Sequence, residues 1–232
     1  DSTKLVLSPP SCYGLSDGRI TVAAKGGMGP YTFRWLNSGT TGPVLAGIRD
    51  GYYYVNITDN KGCIHLDSIR LREPDSIKVQ VIQGSTLDVS CAGLNDGRIT
   101  TVWSGGAKGK GTFVWSPNVG QDSVLTGLSA GTYNLTVIDA NNCTGTVSYT
   151  ILEPSPIVAN FMPIDTPFCA DDQQLFTVLS ATGGAGPQYR FTIQNGAPNQ
   201  FGELVPLFSG VYSISVYDKN GCKIDTTIVI PN

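Results

Sequence analysis

The sequence predicts an all-β fold: three tandem immunoglobulin-like antiparallel β-sandwich repeats. Three observations carry this prediction. Six cysteines recur at a near-constant period. Apolar residues alternate with polar ones before every second cysteine, as in a strand with one buried face. The composition is that of strands and turns, with 14% charged residues, 28 Gly, 14 Pro and three Glu. Helix formers are scarce, while β-branched and turn residues recur throughout.

The repeat sets the domain organisation. Cys12 and Cys63, Cys91 and Cys143, and Cys169 and Cys222 are 51, 52 and 53 residues apart. First members recur after 79 and 78 residues, second members after 80 and 79. Cys12-Tyr-Gly-Leu-Ser-Asp17-Gly18-Arg19-Ile20-Thr21 returns as Cys91-Ala-Gly-Leu-Asn-Asp96-Gly97-Arg98-Ile99-Thr100. Gly26-Gly27, Gly105-Gly106 and Gly183-Gly184 each follow the first cysteine by 14 residues. The turns Asp59-Asn-Lys-Gly-Cys63, Asp139-Ala-Asn-Asn-Cys143 and Asp218-Lys-Asn-Gly-Cys222 precede the last strands. Glu73-Pro74 and Glu153-Pro154 mark two repeat ends, and Ile230-Pro231 stands in the third place. The expected domains are 1–75, 76–155 and 156–232, the third being the most divergent.

Within the first repeat, strands are expected at 4–7, 19–24, 31–35, 52–58 and 64–72. In 52–58, Tyr53, Val55 and Ile57 point one way and Tyr54, Asn56 and Thr58 the other. Tyr133, Leu135 and Val137, then Tyr212, Ile214 and Val216, keep that register. A slip of one residue would expose the whole apolar set, so register is well specified. The Tyr ten residues before each second cysteine is expected to be mostly buried, with its hydroxyl on a backbone carbonyl. No segment shows helical periodicity.

A unit of about 78 residues has a thin core. The repeat register favours three bridges within repeats: Cys12–Cys63, Cys91–Cys143 and Cys169–Cys222. Each would close a loop of some 52 residues and stabilise by roughly 4 kcal/mol in the chain-entropy picture. Persistent disulfides imply an oxidising compartment outside the cytoplasm. The chain begins Asp1-Ser2-Thr3-Lys4, so an exported protein is expected to be a mature piece of a longer precursor.

Several functions are expected to be absent. Net charge is −3, which gives no basic patch for nucleic acid. No apolar run reaches the ~18 residues of a membrane span. His65 is the lone histidine and has no counterpart in the other repeats, so catalysis is not expected. Gly105-Gly-Ala-Lys-Gly-Lys-Gly111 fails the phosphate-loop spacing, because Ser104 stands where the first Gly belongs, and reads as a hairpin loop. Trp35 and Trp115 read as core rather than as a sugar-stacking platform. Asp17, Asp59, Asp96 and Asp139 are candidates for a structural Ca2+, set against plain turn chemistry. Asn56, Asn134 and Asn142 begin N-glycosylation sequons, and Asp-Ser-Ile/Val triplets at 67–69, 75–77 and 122–124 are weak O-glycosylation patterns.

The motifs Cys-x-Gly-x-x-Asp-Gly, Gly-Gly-x-x-Pro-Tyr-x-Phe-x-Trp, Gly-x-Tyr and Asp-x-x-Gly-Cys ending at Glu-Pro resemble the SprB repeat of Bacteroidetes cell-surface adhesins. The resemblance is close in the first two repeats and looser in the third, which lacks the Asp-Gly and Trp positions. It implies an extracellular, cell-surface filament exported by the type IX route and carried by the gliding machinery. Its partners would be a substratum or polysaccharide surface, or neighbouring repeats of the same filament. It supplies no catalytic residues. Short proline-containing linkers at 73–75 and 153–156 are expected to stiffen the row. The alternative is a non-catalytic carbohydrate-binding or spacer array beside a secreted enzyme, which exposed, aligned aromatics would favour.

Overall fold

A computed structural model of the 232-residue chain describes residues 2–107, 109–163, 174–186, 188–193, 199–200, 205–207 and 210–230. All regular structure there is β except one 3-10 turn, Gln83–Ser85. The strands are β1 (Ser2–Ser8), β2 (Gly18–Lys25), β3 (Thr32–Trp35), β4 (Val44–Ile48), β5 (Gly51–Thr58) and β6 (Ile64–Leu71). Next come β7 (Lys78–Val81), β8 (Gly97–Ser104), β9 (Thr112–Ser116), β10 (Val124–Leu128), β11 (Gly131–Ile138) and β12 (Thr144–Ile151). The last are β13 (Val158–Pro163), β14 (Gln174–Thr182), β15 (Arg190–Ile193), β16 (Asn199–Gln200), β17 (Val205–Leu207), β18 (Gly210–Tyr217) and β19 (Lys223–Ile230). The five strands expected in the first repeat are present. β4 is an addition, hidden in the sequence because Gly47 breaks its alternation.

The strands form small antiparallel sheets, two per sequence repeat: β1-β2-β4 with β3-β5-β6, β10-β8-β7 with β12-β11-β9, and β13-β14-β17 with β16-β15-β18-β19. The two sheets of the first repeat close on Ile20, Val22, Leu45, Trp35, Val55, Ile57, Ile69 and Leu71. Every one of these lies on the inward face of its strand, so alternation is what builds the core. In the third repeat Ile157, Tyr189, Phe191, Ile214 and Val216 form the equivalent cluster, joined by Cys222.

The chain divides into two compact units. The first comprises Asp1–Val81, Thr101–Ser123 and Asn134–Ser148; the second comprises Ile82–Thr100, Val124–Tyr133 and Tyr149–Asn232. The middle sequence repeat thus contributes segments to both.

Two recurring residues explain themselves sterically. A Cβ on Gly18 would lie 2.6 Å from the Ile48 carbonyl and 2.7 Å from Leu71 Cδ2, and one on Gly97 would lie 2.8 Å from the Leu128 carbonyl. The Gly of each Asp-Gly pair is therefore required by close backbone approach, not by its φ. Tyr133 is buried and its hydroxyl donates to the Ser129 carbonyl at 2.9 Å. Tyr53 donates to Arg49 at 2.9 Å from a half-buried position, and Tyr212 is also half-buried. The tyrosine expectation holds fully for Tyr133, while burial of the other two is partial.

Candidate functional site

The bridges within repeats are not what the structure contains. Cys12 is bonded to Cys143, with Cα atoms 5.6 Å apart, and Cys91 to Cys222, with Cα atoms 5.5 Å apart. Cys63 is a free, exposed thiol. Cys169 lies outside the described residues. All three expected pairs fail: Cys169–Cys222 because Cys222 is already bonded to Cys91, and Cys12–Cys63 and Cys91–Cys143 for a geometric reason. Cys12 stands just before the start of β2, where Asp17 holds Ser11. Cys63 stands beyond its far end, where Asn60 donates to the carbonyl of Met28 at 2.7 Å. Eight strand residues at about 3.3 Å each separate those ends by roughly 25 Å, and a disulfide needs Cα atoms within about 7 Å. The first cysteine of one repeat instead reaches the second cysteine of the next.

Each bridge sits in the same constellation, once per compact unit. Ser11 N–H donates to Asp17 Oδ1 at 2.9 Å and its hydroxyl donates to Oδ2. Ser90 and Asp96 repeat this, with the N–H at 3.0 Å. Both aspartates have pKa values pushed down, chiefly by the serine hydroxyl and then by the serine N–H. The carbonyl of Ser11 accepts Asn141 Nδ2 at 2.9 Å and lies 3.3 Å from the Cys143 sulfur. A disulfide sulfur carries no proton, so the latter is a close S···O contact. Cys222 makes the same contact with the Ser90 carbonyl at 3.3 Å.

The second half of the constellation is the turn before each last strand. Asp139 Oδ1 accepts the N–H groups of Asn141 and Cys143, both at 2.9 Å, and Oδ2 accepts Ala107 N–H at 2.6 Å. Burial raises the Asp139 pKa, and these donors outweigh it and hold the value down. Asp218 receives Asn220, Cys222 and Ala185 in the same way. Asp59 receives Lys61, Cys63 and Met28, and its pKa is lowered mainly by the Cys63 N–H. Asn142 holds φ 64°, where the other two repeats have Gly62 and Gly221. Asn tolerates that left-handed region better than most residues.

The linkers complete each junction. Gly106 N–H donates to the Asp75 carbonyl at 2.8 Å, and Gly184 N–H donates to that of Ser155 at 2.7 Å. Cβ atoms on Gly106 and Gly145 would strike Ile77, and one on Gly184 would press on Ile157, so the linker isoleucines seat on glycine surfaces.

The four aspartates weighed for calcium are thus separate turn anchors, each satisfied by N–H or O–H donors. No group of three His, Cys, Asp or Glu suited to a metal occurs among the described residues. Trp35 and Trp115 are buried, with Nε1 donating at 3.0 Å to the carbonyls of Gly42 and Asp122. His65 is exposed on β6. The glycine-rich stretch leads into β9, a strand where a phosphate loop needs a helix. No helix among the described residues is long and apolar enough to cross a membrane. Sequence reasoning passed over Ser11, Ser90 and Asn141 as partners. The signal was present, since Ser precedes the first cysteine in two repeats.

Residues 5–40 match the SprB repeat model. That stretch runs from β1 through β3 and holds Cys12, Asp17, Gly18 and Trp35. The SprB repeat match, on an all-β fold with disulfides, supports a repeat-containing, cell-surface adhesin-type segment. No curated protein sequence matches the chain. Among solved structures, Sidekick-1 immunoglobulin domains 1–5 align at 11% identity and TM-score 0.41, covering 98% of this chain and 58% of that one. A C-terminal fragment of intimin, solved with the intimin-binding domain of its translocated receptor, aligns at 16% identity and TM-score 0.35, covering 69% and 66%. Protocadherin gamma B7 cadherin domains 1–4 align at 12% identity and TM-score 0.33, covering 100% and 72%. The chain thus spans less than two thirds of the Sidekick-1 and intimin structures it matches.

Proposed function

We propose that this chain is a force-transmitting segment of a bacterial cell-surface adhesin of the gliding-motility type, built of SprB-like repeats at 1–75, 76–155 and 156–232, and that it turns over no substrate. The resemblance behind this reading extends to export by the type IX route in a member of the Bacteroidetes. The observation that carries the proposal is the repeated junction: a disulfide, a serine–aspartate anchor and an aspartate turn link one sequence repeat to the next, twice. A stalk pulled between cell and substratum needs consecutive units that cannot separate or unravel freely. With both bridges closed, the shortest covalent route from Asp1 to Asn232 crosses both disulfides. It extends to about 270 Å, against about 830 Å for the reduced chain at ~3.6 Å per residue.

Burial of Trp35 and Trp115 weighs against the carbohydrate-binding alternative, which needs exposed rings. In this reading the aspartates need no calcium. Adhesive partners are a substratum or polysaccharide, met by this segment or by another part of the filament. The test is antibody against this chain on intact, unfixed cells. Surface label that travels along gliding cells is the expected result. Label that appears only after permeabilisation, or stays fixed on gliding cells, would overturn the proposal.

A further inference from the structure

Cys63 occupies the position in its repeat that Cys143 and Cys222 occupy in theirs. All three follow an aspartate whose Oδ1 accepts the cysteine N–H at 2.9 Å. In all three the aspartate N–H donates to the cysteine carbonyl at 3.0 Å. Cys143 and Cys222 each receive a disulfide from the first cysteine of the repeat before. Cys63 is presented in the same geometry, exposed and unbonded.

A second observation is independent of the thiol. In the second repeat the surface beside the cysteine, formed by Gly106 and Gly145, is covered by linker residue Ile77. In the third, Gly184 is covered by Ile157. In the first repeat the corresponding place is an open hollow of about 110 Å3, lined by Gly26, Gly27, Ile57, Asp59, Ile64 and His65 as well as Cys63. Ile64 on its rim is 67% exposed. Free thiol and a glycine, Gly27, with no isoleucine over it therefore lie together, as bonded cysteine and isoleucine-covered glycine do at the two closed junctions.

We infer that the Cys63 face is an open half-junction whose occupant is another repeat of this same kind, entering from the N-terminal side. Its first-position cysteine bonds Cys63 and its trailing linker fills the hollow. This rests on the repeat reading above but not on adhesion or gliding. Two thiols give one disulfide, releasing two protons and two electrons. A disulfide oxidant takes both, as oxidised glutathione does on becoming two reduced molecules, by way of a mixed disulfide.

The test uses the full 232-residue chain extended at its N terminus by a second copy of residues 1–80, in which Cys63→Ser is made. The added Cys12 then precedes Cys63 by the same 131 residues that separate the bonded pairs. After equilibration in a glutathione redox buffer, non-reducing peptide mapping is expected to recover the added Cys12 bonded to Cys63. Alkylation of Cys63 under native conditions should fall at least tenfold relative to the unextended chain. Cys12→Ser in the added copy should restore alkylation. Cys63 that stays alkylated or glutathionylated, or that bonds to Cys169, overturns the inference. So does failure of Cys12–Cys143 and Cys91–Cys222 to form in the unextended chain, which would remove the pairing rule itself. Surface-labelling results on cells leave it untouched.

Discussion

The carboxylate of Glu73 accepts the backbone N–H of Gly14 at 2.7 Å, 59 residues earlier in the chain. Glu153 does the same for Gly93 at 2.7 Å. Both glutamates among the described residues make this contact. It fastens the end of a repeat to the turn that carries its first cysteine. The direction in which Pro74 leaves is thereby tied to the position of Cys12. Glu73→Ala is expected to cost about 1 kcal/mol, since a hydrogen bond to a partly solvated carboxylate is lost. The urea midpoint measures it, and an unchanged midpoint would make the contact incidental.

Removing a junction bridge should cost more. A closed loop of 131 residues is worth about 5 kcal/mol in the chain-entropy picture, with strain and residual structure subtracted. Cys12→Ser, with Cys143→Ser to avoid a stray thiol, is expected to lose about 2–5 kcal/mol. Cys63→Ser in the same background should change stability by less than about 0.5 kcal/mol, because an exposed, unbonded thiol holds nothing together. Denaturant titration of both variants decides the point.

Tyr133→Phe removes a hydroxyl that donates to Ser129 from a buried site. The expected cost is about 0.5–1.5 kcal/mol. Tyr53→Phe should lie at the low end of that range, because Tyr53 is only half-buried and water reaches its partner, the exposed Arg49, more readily. Equal costs would show that burial does not govern this contact.

Acid should weaken the fold. Asp17, Asp59, Asp96 and Asp139 all titrate below the ordinary carboxylate value when folded. A depressed folded pKa contributes stability that is complete above the unfolded value of about 3.9 and lost as pH falls through the folded one. Urea midpoints should therefore be flat from pH 7 to about pH 5 and decline below about pH 4. Asp59→Asn should flatten the decline. A midpoint that rises on acidification would reverse the sign and refute the assignment.

Chelation should do nothing. The four aspartates already accept N–H or O–H donors, so calcium would have to displace these to bind. Melting in EDTA and in millimolar CaCl2 is expected to give the same temperature. A rise of several degrees with CaCl2 would identify an ion among these turns.

Much of the fold was legible because alternation is a local signal. Tyr53, Val55 and Ile57 declare their face without reference to anything distant, and Trp35 and Trp115 declare theirs on neighbouring strands. The Asp-x-x-Gly-Cys turn was equally readable, since aspartate, glycine and spacing are all local chemistry. Cysteine pairing was not. A constant period is satisfied as well by bonds from one repeat to the next as by bonds within each. Only the direction of β2, which carries Cys12 and Cys63 to opposite ends of a sandwich, separates the two. Partners such as Ser11 and Asn141 stayed hidden for the same reason: their contact spans 130 residues.

The two disulfide-closed loops overlap between Cys91 and Cys143. A backbone cut anywhere from Cys12 to Cys222 therefore falls inside at least one loop, and both halves stay joined. Proteases encountered outside the cell can nick such a chain once without shedding any of it. The scar would stay invisible on a denaturing gel until reductant is added.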